Sequence, residues 1–218
     1  MPTIKISEMF YSVQGEIDVG KPCLFVRFSG CNLIKENQGC SWCDTKYAEE
    51  GQVINVHQIV DRIVHVPSKR IVITGGEPLY QSQGLFRLIS ECALLDVQFN
   101  IETNGTIFDS RLAVFSFMIT VINCSPKKQC INLRELTQFS LLQRTRFKFV
   151  YERGEDKWWE ALIRTLKIDK DRVWIMPQGA TREEQLGLSE EVIEYCKEMG
   201  FNFTPRLQIL VWGPRRGV

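Results

Sequence analysis

The run Arg70-Ile71-Val72-Ile73-Thr74 is rich in β-branched residues, too short for a helix, and leads straight into Gly75-Gly76-Glu77-Pro78. Apolar residues then recur at helical spacing over 85–95. Strand, glycine-bearing turn and helix follow one another without a long polar linker, and the same cadence recurs along the chain. Strands are expected at 2–10, 22–28, 70–74, 97–102, 115–122, 146–151, 172–176 and 203–211. Helices are expected at 56–66, 85–95, 133–142, 156–166 and 189–199, the last with Ser189 as N-cap and Gly200 as its stop. This alternation predicts one α/β domain over 1–218 built on a parallel sheet. In such folds the site lies beyond the C-terminal ends of the strands. Four motifs fall there: the cysteine loop 31–43, Gly75 to Pro78, Glu102 to Gly105, and Ser125 to Lys127. They are expected to converge in space.

The cysteine loop carries Cys31, Cys40 and Cys43, followed by Asp44 and Thr45. Three thiols so close together are soft ligands for a metal, and three ligands leave a four-coordinate centre with an open position. Cys40-Ser41-Trp42-Cys43 could also be a dithiol redox pair or half of a structural zinc site. Zinc would call for a second Cys-x-x-Cys or a His pair, and the only histidines are His57 and His65. A redox pair would not need Cys31. Ligand chemistry therefore favours an iron–sulfur cluster. Of the other cysteines, Cys23, Cys92 and Cys196 read as small core residues, while Cys124 and Cys130 flank a turn.

Bulk properties exclude several classes. Lysine plus arginine number 27 against 26 acidic residues, a net charge of +1 that speaks against an electrostatic nucleic-acid binder. No run approaches the ~18 apolar residues of a membrane span. The start, Met-Pro-Thr-Ile-Lys-Ile-Ser-Glu, has no signal-peptide core, so the chain is expected to be cytoplasmic with reduced thiols.

Taken together, Cys40-Ser41-Trp42-Cys43-Asp44-Thr45, Thr74-Gly75-Gly76-Glu77-Pro78 and Glu102-Thr103-Asn104-Gly105-Thr106 resemble the radical S-adenosylmethionine (SAM) superfamily. Gln14-Gly15-Glu16, Phe-Val-Arg at Arg27, Ser125-Pro126-Lys127 and the tail Trp212 to Val218 narrow the resemblance to the 7-carboxy-7-deazaguanine synthases. The resemblance spans nearly the whole chain. It implies a partial (β/α) barrel, abbreviated relative to the full (β/α)8 form and commonly homodimeric. It implies a [4Fe-4S] cluster on Cys31, Cys40 and Cys43, with SAM on the remaining iron. It further implies contraction of 6-carboxy-5,6,7,8-tetrahydropterin to 7-carboxy-7-deazaguanine with loss of ammonia. A flavodoxin or ferredoxin is the implied electron donor.

Residue by residue, Trp42, Cys43, Asp44, Gly76, Glu102, Ser125, Pro126 and Lys127 resemble SAM contacts, with Gln178 bordering the adenine. Val13, Gln14, Gly15, Glu16, Arg27 and Thr74 resemble contacts to the pterin, joined by Gln208 and Val218 of the closing segment 203–218. Arg27 suits the substrate carboxylate as a bidentate partner, and Thr45 resembles a Mg²⁺ ligand. No side chain is assigned as a catalytic acid or base. The chain departs from the family pattern in three places. Eight residues separate Cys31 from Cys40, Ile17 stands where glycine is usual, and Gln208 replaces a frequent histidine. A glycyl-radical activating enzyme and a metal-stabilised binding module are the alternatives. The first leaves Gln14-Gly15-Glu16, Arg27 and the tail unexplained, and metal analysis separates the second.

Overall fold

The computed structural model describes residues 3–36, 40 and 50–218. The expectations placed on Trp42, Cys43, Asp44 and Thr45 lie outside those residues. A single nine-stranded sheet runs through the described chain. Its strands are β1 (Thr3–Val13), β2 (Pro22–Phe28), β3 (Gln52–Asn55), β4 (Arg70–Gly75), β5 (Gln98–Thr103), β6 (Ile119–Cys124), β7 (Thr145–Tyr151), β8 (Val173–Pro177) and β9 (Asn202–Phe203). Their spatial order, β3-β1-β2-β4-β5-β6-β7-β8-β9, leaves the sheet open between β3 and β9. The helices are α1 (Asn32–Lys35), α2 (Val56–Val64), α3 (Ser82–Glu91), α4 (Arg111–Val114), α5 (Leu133–Leu141), α6 (Trp158–Leu166), α7 (Arg182–Met199) and α8 (Leu207–Trp212). The result is an α/β fold of the expected incomplete-barrel type. Among the described residues no helix is long and apolar enough to cross a membrane.

From β2 to β9 neighbouring strands pair in parallel, as expected. The N-terminal end differs: β1 pairs antiparallel with both β2 and β3. The strand β3 was not anticipated, because four residues with two apolar members carry too little periodicity to register.

Period-two alternation assigns each strand two faces. Leu24, Val26 and Phe28 of β2, Ile71 and Ile73 of β4, Phe99 and Ile101 of β5, and Phe147 and Phe149 of β7 enter one core with the helices. Ile59 and Ile63 of α2, Leu85 and Ile89 of α3, Leu136 and Phe139 of α5, and Trp159 of α6 cover them. Cys23, Cys92, Cys124 and Cys196 are buried, and among the described residues they act as small apolar groups.

Two boundaries correct the sequence reading. α7 begins at Arg182, with Thr181 and Glu184 forming a capping box, and Ser189 lies inside the helix, its hydroxyl donating to the Gln185 carbonyl at 2.6 Å. Thr-Arg-Glu-Glu carried that start signal, but Gly187 and a second acidic pair after Ser189 mimicked another. The expected strand over 203–211 is instead the two-residue β9 followed by α8. Pro205 offers no ladder donor, and the short apolar run after it fits either period.

Candidate active site

The sheet face opposite the helices is concave and encloses a cavity of about 510 Å³. Six neighbouring strands contribute to its lining, among them through Arg27 (β2), Thr74 (β4), Glu102 (β5), Asn123 (β6), Lys148 (β7) and Met176 (β8). These positions alternate with the core residues, so the pattern that builds the core also builds the cavity wall. Arg27 is level with Thr74 in the ladder, and Glu102 with Asn123.

Loops at the strand ends close the cavity. Val13, Gln14, Gly15 and Glu16 line it, as do Cys31, Cys40, Gly76, Ser125, Lys127, Gln178, Gln208 and Val218. Every expected site residue among the described ones is therefore at the cavity except Pro126, which is buried between Ser125 and Lys127. α8 docks on the Gln14 to Glu16 loop, the Leu207 amide donating to the Gly15 carbonyl at 2.7 Å. A Cβ on Gly15 would lie 2.7 Å from Gln208 Cδ, so glycine is what lets the Gln208 amide approach.

Sequence reading missed two cations in this wall, Lys148 and Arg206. The Lys148 ammonium donates to Glu16 Oε2, and Arg206 Nε lies 3.7 Å from Glu16 Oε1. Burial works against ionisation of Glu16, but Lys148 and Arg206 outweigh it and hold the carboxyl below its usual range. Glu102 accepts from Thr74 Oγ1 at 2.9 Å and from Gln14 Nε2 at 3.5 Å. Burial, reinforced by the Glu16 charge, raises its pKa against the pull of Lys148 and Arg27. Lys148 also stays charged, because Glu16 and Glu102 overcome its desolvation. On the opposite wall Arg27 Nε donates to Glu8 Oε1 at 2.8 Å, beside the stacked rings of Phe10 and Phe25.

The Gly75-Gly76-Glu77-Pro78 turn does a different job from its neighbours. Glu77 is fully buried, and its carboxylate accepts from the Leu79 amide at 3.0 Å, Thr103 Oγ1 at 3.0 Å and the Asn104 amide at 2.7 Å. It ties the end of β4 to the end of β5. Burial pushes its pKa up to about 7 despite those donors. Its unfolded value is 4.5, so between the two the native state holds the extra proton. The associated stability is complete below pH 4.5 and is lost as pH rises through about 7. Glu77→Gln is expected to flatten this slope. Urea unfolding across that window should show the native protein losing on the order of 1–3 kcal/mol more than the variant.

Residues 26–127 match the Radical SAM superfamily. Over 226 residues the chain is 30% identical to the 7-carboxy-7-deazaguanine synthase of Pyrobaculum aerophilum, covering 99% of this chain and 98% of that relative. It is also 30% identical to the enzyme of that name from Halobacterium salinarum, over 97% of this chain and 91% of the relative. The fold matches the crystal structure of QueE from Escherichia coli with a TM-score of 0.67 at 22% identity, over 94% of each chain. The fold is that of the radical SAM class. Within that class the chain belongs to the 7-carboxy-7-deazaguanine synthase family.

Membership implies a [4Fe-4S] cluster and SAM, and the cavity suits both. Cys31 and Cys40 bring soft sulfur donors to its edge, and Cys43 lies outside the described residues. Among the described residues alone, no group of three His, Cys, Asp or Glu is placed to hold a metal. Asn123 Oδ1, Ser125 Oγ and Gln208 Oε1 are buried in the cavity wall with no hydrogen-bond partner among the described residues. Polar atoms so placed call for a polar ligand.

Proposed function

We propose that this chain is a radical SAM carbon–nitrogen lyase. It converts 6-carboxy-5,6,7,8-tetrahydropterin to 7-carboxy-7-deazaguanine with loss of ammonia, in queuosine and 7-deazapurine biosynthesis. The observation that carries this reading is one cavity holding Cys31 and Cys40 together with the Gln14 to Glu16 loop and Arg27. When bound, the cluster and SAM supply the one-electron chemistry that removes the hydrogen at C6 of the substrate.

The chain's own residues bind and orient. Cys31, Cys40 and Cys43 hold the cluster. Gly76, Ser125, Pro126, Lys127 and Gln178 hold SAM together with Trp42, Cys43 and Asp44. Arg27, fixed through Nε by Glu8, takes the pterin carboxylate. Gln14, Glu16, Gln208 and backbone groups at Val13 and Gly15 meet the amide and amino edge of the ring, with Val218 closing that side. Glu102 stands between the two ligand sets, since Thr74 and Gln14 both donate to it. Thr45 takes a Mg²⁺ ion whose charge offsets the anion developing during rearrangement. A flavodoxin or ferredoxin delivers the electron, and two chains form a homodimer.

Anaerobic reconstitution should give about four irons per chain, and Cys31→Ala or Cys40→Ala should lose most of that iron and the brown absorbance. The native protein, reduced and supplied with SAM, Mg²⁺ and carboxytetrahydropterin, should release 7-carboxy-7-deazaguanine. Cleavage of SAM to deoxyadenosine with no deazaguanine in any condition would overturn the reading.

A further inference from the structure

The described cluster cysteines each face a side-chain amide. Asn104 Nδ2 approaches Cys31 Sγ at 4.0 Å, and Gln129 Nε2 approaches Cys40 Sγ at 3.8 Å. Both distances sit at the long limit for a bond to sulfur, so the orientation of the amides matters as much as their proximity. For Asn104 that orientation is determined by its surroundings. Its Oδ1 accepts from the Thr106 amide at 2.9 Å and from Thr106 Oγ1 at 2.6 Å. The NH₂ end is therefore turned toward Cys31 and Asn32 Oδ1, the latter at 3.2 Å. The backbone below it is clamped as well, because the Asn104 amide donates to buried Glu77. Asn104 is only 8% exposed, so water does not substitute for it.

We propose that Asn104 is a positioning residue that aims an N–H at the Cys31 sulfur and raises the reduction potential of the cluster held there, with Gln129 acting in the same sense on Cys40. This rests on the ligand assignment made above. Reduction adds one negative charge, shared in part by the thiolate sulfurs. A donor pointed at such a sulfur stabilises the reduced state more than the oxidised one. The Glu77 to Asn104 to Cys31 chain thus couples the Gly-Gly-Glu-Pro turn to the ease of electron acceptance.

The test is a potentiometric titration, followed by electron paramagnetic resonance, of the anaerobically reconstituted full chain without substrate. Asn104→Asp keeps the Thr106 contacts but presents an anionic oxygen where the donor was. Its midpoint should fall by at least a tenfold change in the reduction equilibrium, ~59 mV for one electron. Exposed Gln129→Leu should fall in the same direction by less. Asn104→Ser serves if the aspartate variant does not load iron. Full iron with an unshifted midpoint in the Asn104 variants would overturn the inference. So would loss of iron in both of them, which would make Asn104 purely structural. Because the readout is a potential, it stands apart from product formation. An unshifted midpoint in a chain that makes deazaguanine sinks only this inference, and a shifted midpoint without product sinks only the proposed reaction.

Discussion

Lys148→Met is expected to remove most turnover and to lower the melting temperature by about 10 °C, for one physical reason. In the native chain a single ammonium lies between two half-buried carboxylates, bonded to Glu16 and attracted by Glu102. Without it the carboxylates are left with Arg206, 3.7 Å from Glu16, and the weaker pull of Arg27 on Glu102. Breaking a buried pair in this way costs ~3–5 kcal/mol. One carboxyl must then take up a proton, and Glu102, already raised by burial, is the one placed to do so. The Gln14 to Glu16 loop, proposed to meet the substrate, loses its anchor, and a displacement of ~1 Å at a binding group costs on the order of 10²-fold in rate. Thermal melts and kcat/KM would be measured for Lys148→Met, Glu16→Gln and the double variant. The double variant should recover much of the stability but not the rate. Equal, additive losses across the cycle would show that the two residues do not act as a pair.

Gly76→Ala is expected to have the other large effect, and it should strike iron loading before substrate binding. A Cβ on Gly76 would overlap the Gly30 carbonyl and come within 2.9 Å of Cys31 Cβ. Gly30 cannot retreat easily, because its carbonyl accepts from the Glu77 amide at 2.9 Å. The added methyl therefore displaces the backbone that carries Cys31, at a cost of ~1–3 kcal/mol typical of overpacking. Iron per chain after reconstitution should drop by more than half. Gly187→Ala in α7 is the control: its Cβ meets nothing within 4 Å, and it should gain ~0.5–1 kcal/mol with iron unchanged. Normal iron in Gly76→Ala would refute the coupling between this turn and the cluster loop.

What the sequence revealed, and what it hid, divides along the range of the interactions involved. The strands β4 and β5 and their terminal motifs were legible because a buried β-branched run followed by glycine or Asn-Gly is a local signal. The convergence of Cys31, Gly76, Glu102 and Ser125 followed from the rule that strand ends share one edge, whereas Arg27 and Thr74 were singled out through the family resemblance. Lys148 was harder to see. It sits in Arg-Phe-Lys-Phe-Val-Tyr, where alternation marks it as facing away from the core, but on a half-exposed sheet that face would be solvent. Only the curvature of the sheet turns the outward face of β7 into a cavity wall. Arg206 was read as part of a strand and became visible once Pro205 ended β9. Asn104 was quoted within a motif without a role, since its aim at Cys31 depends on Thr106 and Glu77 together.

The antiparallel end of the sheet has a consequence for the order in which the molecule becomes whole. Among the described residues β3 touches the sheet only through β1, and the chain reaches β3 from β2 by way of the cysteine loop. Docking β3 therefore closes a long loop across β1, and the entropy of that closure grows with the length of free chain. Metal held by the proposed ligands Cys31, Cys40 and Cys43 would shorten the free length. Iron and the sheet margin would then be thermodynamically linked, each favouring the other by mass action. The insertion between Cys31 and Cys40 lies within the stretch such a bridge would bypass, so it enlarges the loop-closure cost that metal would remove at the N-terminal margin.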